Sequence, residues 1–253
     1  MKKYRYVVFD ADDTLLDYRA DEKDAFLRTF DAFGIKADEP LLHFANETSE
    51  RVWTDAGLYD VTNAIVQERY HVLYREHVRE LFEEVKAYLK RRGVQAAFDA
   101  ADGGKRFLCE LSTGGHYKDG AIDVLQALKE RGYDLYIATN GLSDIQRGRL
   151  KDLAAYVKRI FISEEIGAIK PTASFFEKML QTGDICKEEC LFVGDSLVSD
   201  IGGATASGID GCFYNAKRIK LNETSQKPTY TVEKLREILY FLPLKTRKEN
   251  CCT

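Results

Sequence analysis

Residues 6–17 read YVVFDADDTLLD, and this stretch decides how the rest of the chain is interpreted. Its first four residues are an apolar run typical of a buried strand, and four carboxylates follow within the next eight residues. Asp is a poor strand former, and unpaired charge beside a core is costly. A divalent cation held by hard oxygen ligands would compensate that charge. We therefore hypothesise a magnesium site in which one of these Asp residues is the nucleophile.

The composition is that of a globular enzyme. The 253 residues allow one domain or two, and no apolar run approaches the roughly 18 residues of a membrane helix. A net charge of -4 with dispersed Lys and Arg argues against a nucleic acid polymer as partner, but not against a small phosphorylated ligand. The first strand begins so early that we expect no signal peptide. The six cysteines match no zinc or disulfide framework, which predicts reduced thiols and a cytoplasmic location.

After residue 17 the apolar residues recur with helical spacing up to about residue 112. Phe26, Phe30 and Phe33 share one face of a first helix, and Gly34 is placed to end it. Thr62 is a plausible N-cap, and Gly103-Gly104 is a weak point in the last helix. The predicted helices run from Asp21 to Gly34 and over residues 41–53, 62–81, 85–92 and 98–111. This block is predicted to be all helical.

Beyond Ser112 the pattern changes to short apolar strands that alternate with helices. Predicted strands cover residues 7–9, 135–138, 160–162, 190–193 and 211–214, and predicted helices cover 121–131, 142–153, 172–182, 199–207 and 232–242. Such alternation is typical of a parallel sheet with helices on both faces. The sequence therefore predicts an α/β fold, a Rossmann-like doubly wound parallel sheet core with an inserted all-helical cap domain. The expected boundaries are 1–17 and 113–253 for the core and 18–112 for the cap.

Polar residues follow the first four predicted strands, where loops and helix N-termini of a parallel sheet converge. The four groups are Asp10 and Asp12; Thr139-Asn140-Gly141; Lys170-Pro171; and Gly194-Asp195 with Asp200. They supply carboxylates for a metal, small donors and a helix N-terminus for phosphate oxygens, and one Lys for charge. We expect them to form a single phosphate-handling site.

These four groups, in this order, resemble the four signature motifs of the haloacid dehalogenase superfamily. The first reads Asp10-x-Asp12-x-Thr14, and the helical block lies where that superfamily carries its C1-type cap. The resemblance extends across the whole α/β part of the chain. A closer resemblance is to the pyrimidine 5'-nucleotidase subgroup, which has a similar Phe-Asp-Ala-Asp opening and a cap in which an Asn shortly precedes a Trp, as Asn46 and Trp53 do here.

The resemblance implies a Mg²⁺-dependent phosphomonoester hydrolase. Asp10 would attack phosphorus and form an aspartyl phosphate, and Asp12 would act as acid and then as base. Asp10, the backbone carbonyl of Asp12 and Asp195 would hold the metal. Three groups would bind the phosphoryl oxygens: Thr139, the amide of Asn140 and Lys170. Asp200 is expected to orient Lys170 or a metal-bound water.

Each assignment has a simpler structural alternative. Asp13 and Asp17 are interpreted as turn or cap residues, and the alternative for Asp200 is an N-cap or a surface residue. The four His residues have no metal-ligand spacing and are interpreted as structural or exposed. Cys186-x3-Cys190 is interpreted as incidental and Cys251-Cys252 as part of a frayed polar tail.

The helical block is expected to select the substrate. Aromatic residues there could stack on a base or could simply form its core. Asn46 and Trp53 are the predicted substrate contacts. A nucleoside 5'-monophosphate, and specifically a pyrimidine nucleotide, is the expected substrate if the subgroup resemblance holds, and a sugar phosphate is the alternative. A phosphosugar mutase, a haloacid dehalogenase and a catalytically silent binding protein are the other functions considered.

Overall fold

The computed structural model describes residues 3–221 and 226–245, and Cys251-Cys252 lie outside them. The chain divides into two compact units. An α/β unit contains the described residues of Met1–Asp17, Tyr117–Asn140 and Leu150–Thr253, and a helical unit contains Tyr18–His116 and Gly141–Arg149. The functional division into a catalytic core and a substrate-selecting cap stays a prediction.

The α/β unit is built on a six-stranded sheet in which every pairing is parallel. The strands are β1 (Tyr6–Phe9), β2 (Asp134–Thr139), β3 (Arg159–Ile162), β4 (Cys190–Gly194), β5 (Asp210–Tyr214) and β6 (Tyr230–Val232). Their order across the sheet is β3-β2-β1-β4-β5-β6, so β1 lies between β2 and β4. This confirms the predicted doubly wound α/β fold.

Both faces of this sheet are buried. Along β1, Val7 and Phe9 belong to one apolar cluster, while Tyr6 and Val8 belong to another on the opposite face. Helix α5 (Ala121–Glu130) covers the first face and α8 (Ala173–Gly183) covers the second. Because side chains on both faces are buried, the strand sequences are continuous apolar runs and do not alternate between apolar and polar residues.

The helical unit consists of five helices. They are α1 (Tyr18–Ala32), α2 (Glu39–Asp55), α3 (Ala64–Arg91), α4 (Ala100–Ser112) and α6 (Ser143–Arg149). Two separate helices were expected over 62–81 and 85–92, but α3 is continuous. Its buried residues keep one helical face through Phe82 and Val85, so nothing breaks it there. Asn63, and not Thr62, caps it, because the Asn63 side chain accepts from the backbone N–H groups of Ile65 and Val66.

Gly103 and Gly104 do not weaken α4, which runs through both. A Cβ at Gly103 would lie 2.5 Å from a ring carbon of Phe82 and 2.9 Å from Phe98. The glycine is therefore required by the close packing of α4 against α3, a reason that helix propensity alone does not reveal.

A buried ion pair holds α6 against α1. Nε and Nη2 of Arg149 each lie 2.8 Å from Oδ2 of Asp21. Oδ1 of Asp21 accepts hydrogen bonds from the backbone N–H groups of Gly115 and His116. Burial raises the pKa of Asp21, but the charge of Arg149 and the hydrogen bonds from His116 and Gly115 together hold it below its ordinary value.

Three other predicted helices need correction. The helix expected over 142–153 ends at Arg149, and a 3-10 turn follows at Leu153–Ala155. The helix expected over 199–207 is a π-helix, Leu197–Gly202, followed by α9 (Gly203–Ala206). Residues 232–242 are not one helix, because Tyr230–Val232 pairs with β5 as an edge strand and only Leu235–Tyr240 turns, as a 3-10 helix. A short helix, α7 (Ser163–Ile166), follows β3.

Among the described residues, no helix is long and apolar enough to cross a membrane. Cys109, Cys186, Cys190 and Cys212 carry free thiols, and burial raises the pKa of Cys212. The predicted cytoplasmic location stays a prediction.

Candidate active site

The predicted polar residues of the α/β unit gather at the carboxyl edge of its sheet. In register, Phe9 lies beside Ile137 on one side and Val193 on the other. Asp10 therefore leaves β1 between the ends of β2 and β4, where Thr139 and Asp195 leave their own strands. The parallel sheet alone brings these three segments together.

Lys170 is the centre of this site. Its Nζ lies 2.6 Å from Oδ1 of Asp10, 2.7 Å from Oδ1 of Asp200 and 2.9 Å from the carbonyl oxygen of Ala138. An ammonium group has three hydrogens to donate, and these three acceptors use all of them. The side chain is 2% exposed, and the two carboxylates raise the pKa of Lys170 although burial opposes them. The Lys170 ammonium is therefore charged and fixed in position.

Asp10, Asp195 and Asp200 each place one carboxylate oxygen within 4.8 Å of the others. Burial raises the pKa of Asp10, with Asp200 and Asp195 adding to the effect and Lys170 opposing it. Burial, followed by the charges of Asp200 and Asp13, raises the pKa of Asp195 to about 7, while Lys217 and Lys170 oppose this. When ionised, three carboxylates beside one ammonium carry an excess of negative charge, and their oxygen ligands suit a hard divalent cation. This acidic cluster could bind a metal.

Asp200 contacts Lys170 through one oxygen and the backbone through the other. Its Oδ2 accepts from the N–H of Ser196 at 3.0 Å. A Cβ at Gly194 would lie 2.2 Å from that oxygen, so only glycine lets the strand end approach so closely. The Asp200 carboxylate is thus held against Lys170, and its part in catalysis stays a prediction.

Thr139 and Asn140 lie at the end of β2, where Thr139 is 1% exposed. Oδ1 of Asn140 accepts from the backbone N–H of Lys170 at 2.8 Å, and Nδ2 donates to the carbonyl of Lys170 at 3.0 Å. The side-chain amide of Asn140 is therefore occupied in fixing the Lys170 segment. A phosphate contact from Asn140 can come from its backbone N–H or from the second hydrogen of Nδ2.

The loop after β1 holds the remaining residues of the first motif. Asp12 is half-buried in a short bridge to Leu16, and Asp13 adopts a left-handed backbone with φ +59°. The Thr14 hydroxyl is fully buried and accepts from the backbone N–H of Asp195 at 3.1 Å. Thr14 belongs to the first motif, but the sequence alone indicates no role for it.

Two lysines near this loop were also missed. Nζ of Lys118 lies 2.9 Å from Asp13 and 3.6 Å from Asp17, and Nζ of Lys217 lies 3.5 Å from Asp13. Both lysines stand in polar segments far from the first motif in sequence, and no periodicity or motif marks them. Asp13 and Asp17, interpreted as turn residues, are therefore also ion-pair partners.

Trp53 and Asn46 lie on α2 in the helical unit, and both are half-buried. The ring of Trp53 meets four rings edge to face, at centroid distances of 4.9 to 6.3 Å: Tyr59, Tyr70, Tyr74 and His77. Burial lowers the pKa of His77 to about 4, so that ring is neutral. Trp53 thus packs among the aromatic residues of this unit, and the substrate contacts of Asn46 and Trp53 stay predictions.

Known proteins with similar sequences identify the family of this chain. The model of the haloacid dehalogenase-like hydrolases matches residues 4–208. Pyrimidine 5'-nucleotidase PynA of Streptococcus pneumoniae is 32% identical over 240 residues, covering 93% of this chain and 94% of its own. Pyrimidine 5'-nucleotidase YjjG of Escherichia coli is 36% identical over 122 residues, which cover 47% of this chain and 53% of its own.

A solved structure is similar over nearly the full length. The crystal structure of the HAD-hydrolase YfnB of Bacillus subtilis, bound to magnesium, has a TM-score of 0.76 and 31% identity, covering 95% of this chain and 99% of its own. A crystallised dehalogenase has a TM-score of 0.66 but 20% identity, so it shows similarity of fold alone.

Proposed function

Because this chain belongs to the haloacid dehalogenase-like hydrolase family, as its four motifs predicted, we propose that it hydrolyses phosphomonoesters through an aspartyl phosphate on Asp10. The observation that carries the proposal is the buried contact of Lys170 with Asp10 at the carboxyl edge of the sheet. This contact leaves Oδ2 of Asp10 without a hydrogen bond among the described residues, in a side chain that is 9% exposed. A nucleophile requires an accessible carboxylate oxygen, and the charge of the Lys170 ammonium favours the ionised form of Asp10.

In the first step, a carboxylate oxygen of Asp10 forms a bond to phosphorus, and the bond from phosphorus to the leaving oxygen breaks. Asp12 gives its proton to the leaving oxygen, so that the product departs as an alcohol. Asp12 stands two residues after the nucleophile on the same loop, which suits this role.

In the second step, water attacks the phosphorus of the aspartyl phosphate. Asp12, now ionised, takes a proton from that water, and the bond between phosphorus and Asp10 breaks. Inorganic phosphate and the free carboxylate of Asp10 result, and Asp12 is protonated again for the next cycle. Splitting the reaction in this way replaces one difficult displacement with two easier ones.

Lys170 and its partners orient the reacting groups. The Lys170 ammonium fixes one oxygen of Asp10 and offsets the negative charge of the approaching phosphate. Asp200 positions the ammonium of Lys170, and the side chain of Asn140 positions its backbone. The Thr139 hydroxyl and the backbone N–H of Asn140 are proposed to hold the phosphoryl oxygens.

Asp10, Asp195 and the backbone carbonyl of Asp12 are proposed to hold Mg²⁺. The excess negative charge of the acidic cluster fits a divalent cation, and carboxylate and carbonyl oxygens are the ligands that Mg²⁺ prefers. When bound, the ion would supply charge that reduces the repulsion between carboxylate and phosphate.

The proposed substrate is a small nucleotide, a pyrimidine nucleoside 5'-monophosphate. Support comes from the names of the relatives PynA and YjjG, both pyrimidine 5'-nucleotidases. Asn46 and Trp53 of the helical unit are the proposed contacts to the nucleoside. A sugar phosphate is the alternative, and neither a nucleic acid polymer nor a membrane is a proposed partner.

The test is phosphate release from a panel of nucleoside monophosphates, sugar phosphates and 2-haloacids, with Mg²⁺ present. We expect phosphate from pyrimidine 5'-monophosphates, and a loss of about a thousandfold or more in Asp10→Asn. Halide release without phosphate release, or full activity of Asp10→Asn, would overturn the proposal. Asp184→Asn, at an exposed turn of the same unit, is the control for the change in charge.

A further inference from the structure

The loop after β5 is fixed at the carboxyl edge of the sheet by one side chain. Oδ1 of Asn215 accepts from the N–H of Ile219 at 2.8 Å, and Nδ2 donates to the carbonyl of Ile219 at 2.9 Å. The backbone N–H of Asn215 also donates to the carbonyl of Val232 at 2.7 Å. Arg218 adopts a left-handed backbone with φ +53°, which turns the loop between these anchors. The residues between Asn215 and Ile219, Lys217 among them, are therefore anchored to the sheet through Asn215.

Lys217, in the loop that Asn215 fixes, contacts the loop that carries the nucleophile. Its Nζ lies 3.5 Å from Oδ2 of Asp13, while the shorter contact of Asp13 is with Lys118, at 2.9 Å. The charge of Lys217 also acts on Asp195, whose pKa it lowers against the larger effect of burial. Lys217 therefore contacts the first motif, and its charge acts on the acidic cluster.

The three lysines of this edge differ in how many donors they have free. Lys170 uses all three of its ammonium hydrogens on buried acceptors. Lys118 lies between two carboxylates and is 24% exposed. The side chain of Lys217 is 72% exposed, and in the described part of the chain its ammonium has one acceptor, at 3.5 Å. Lys217 thus keeps donors that an incoming anion can use.

A phosphorylated substrate would be attracted by such a group, because it approaches several carboxylates at once. Asp10, Asp13, Asp195 and Asp200 all lie at this edge. A dianion is repelled by uncompensated carboxylates, and an exposed cation at the margin attracts it and raises its local concentration.

We propose that Lys217 is a substrate-recruiting residue, whose ammonium leaves Asp13 and donates to an anionic oxygen of the incoming phosphorylated substrate. The nature of the substrate rests on the proposed function, whereas recruitment of a phosphate group does not. Lys217 binds and orients the substrate and takes no part in the bond changes at phosphorus.

The first test measures binding of inorganic phosphate by calorimetry to the full chain and to Lys217→Ala, with Mg²⁺ present. We expect Lys217→Ala to weaken phosphate binding by about three- to fivefold, as removal of an exposed charged contact does. The difference should shrink in 0.5 M KCl because salt screens exposed charges. Lys217→Arg should bind nearly as well as the parent. Lys220→Ala, an exposed lysine of the same loop, is the matched control and should leave binding unchanged.

The second test is steady-state hydrolysis of a phosphomonoester. We expect Lys217→Ala to raise KM while kcat stays within about twofold of the parent, because only recruitment is lost. A fall in kcat at constant KM would mean that Lys217 merely supports Asp13, and would overturn the proposal. Equal losses of phosphate affinity in Lys217→Ala and Lys220→Ala would also overturn it, because they would indicate net charge alone.

The two proposals fail separately. If the chain binds phosphate through Lys217 but releases no phosphate from any monoester, only the proposed function is contradicted. If the chain hydrolyses monoesters but Lys217→Ala binds phosphate as tightly as the parent, only the recruitment role of Lys217 is contradicted. A parent chain that binds no phosphate at all would also overturn the recruitment role.

Discussion

The Thr14 hydroxyl accepts a hydrogen bond from the backbone N–H of Asp195 at 3.1 Å, and this contact joins the first motif to the fourth. Thr14 is fully buried, so its hydroxyl cannot turn to water instead. Thr14→Val keeps the shape and removes the acceptor. We expect a loss of about 1 to 3 kcal/mol in the free energy of unfolding, measured by urea denaturation.

Activity should fall with stability in Thr14→Val, because the position of Asp195 depends on this contact. Thr14→Ser keeps the hydroxyl and serves as the matched variant, with most of the activity retained. Thr14→Val that is as stable and active as the parent would show that the contact contributes nothing.

Two adjacent glycines of α4 offer a direct test of helix packing. Either Gly→Ala change favours the helix by about 1 kcal/mol. At Gly103 the new Cβ would lie 2.5 Å from Phe82, whereas at Gly104 the nearest atom, of Val78, is 3.2 Å away. Gly103→Ala should therefore destabilise the chain by about 1 to 3 kcal/mol through overpacking, while Gly104→Ala should be nearly neutral or stabilising.

Thermal denaturation of the two variants checks this prediction. Equal effects at the two positions would contradict it, since the gain in helix propensity is the same for both. The comparison thereby isolates the steric clash from the backbone effect.

Because Glu22 is a buried carboxyl group, we expect the stability of the helical unit to depend on pH. It is 8% exposed and accepts a hydrogen bond from the Ser49 hydroxyl at 2.7 Å. Burial raises the pKa of Glu22 from 4.5 to about 6, against the opposing effect of Ser49. The folded state therefore favours the protonated form, and stability is lost as the pH rises from 4.5 through 6.

Glu22→Gln should remove this penalty, because an amide is neutral and still accepts from Ser49. We expect the variant to be more stable than the parent by up to about 2 kcal/mol at pH 7.5, and to gain little at pH 4. Urea denaturation at both pH values is the measurement. Glu68→Gln, exposed on α3, is the control and should show no such difference. A gain of equal size at both pH values would count against burial as the cause.

Removal of metal tests the acidic cluster. Chelation should abolish phosphate release, and added Mg²⁺ should restore it, because uncompensated carboxylates repel the substrate. Asp195→Asn should need a Mg²⁺ concentration higher by about tenfold or more for half-maximal activity, while Asp184→Asn should not. Undiminished activity after complete chelation would contradict the metal proposal.

The part of the site that parallel strands assemble was predictable from the sequence. Asp10 and Asp195 follow apolar runs, and any parallel sheet brings the ends of such runs to one edge. Contacts made by loops were not predictable. The side chain of Asn140 binds the backbone of Lys170, and Lys118 and Lys217 meet Asp13, through turns whose path no periodicity encodes.

Two differences between the predicted and the observed secondary structure also have identifiable causes. Residues 232–242 have an apolar spacing that suits a helix, yet Thr231 and Val232 are β-branched and an open edge of β5 was available to pair with them. The continuity of α3 depended on packing against α2 and α4, which the sequence does not display. Tertiary context decided both cases.

The place of β1 in the middle of the sheet has a consequence for biosynthesis. Both of its partners, β2 and β4, are encoded far downstream, and at 5 to 20 residues per second the ribosome adds them only after an interval on the order of ten seconds. Until then the nascent chain carries an unpaired apolar strand with its acidic loop. Chaperone binding to ribosome-attached chains should therefore persist until β4 has left the exit tunnel, and end once the central strand is enclosed.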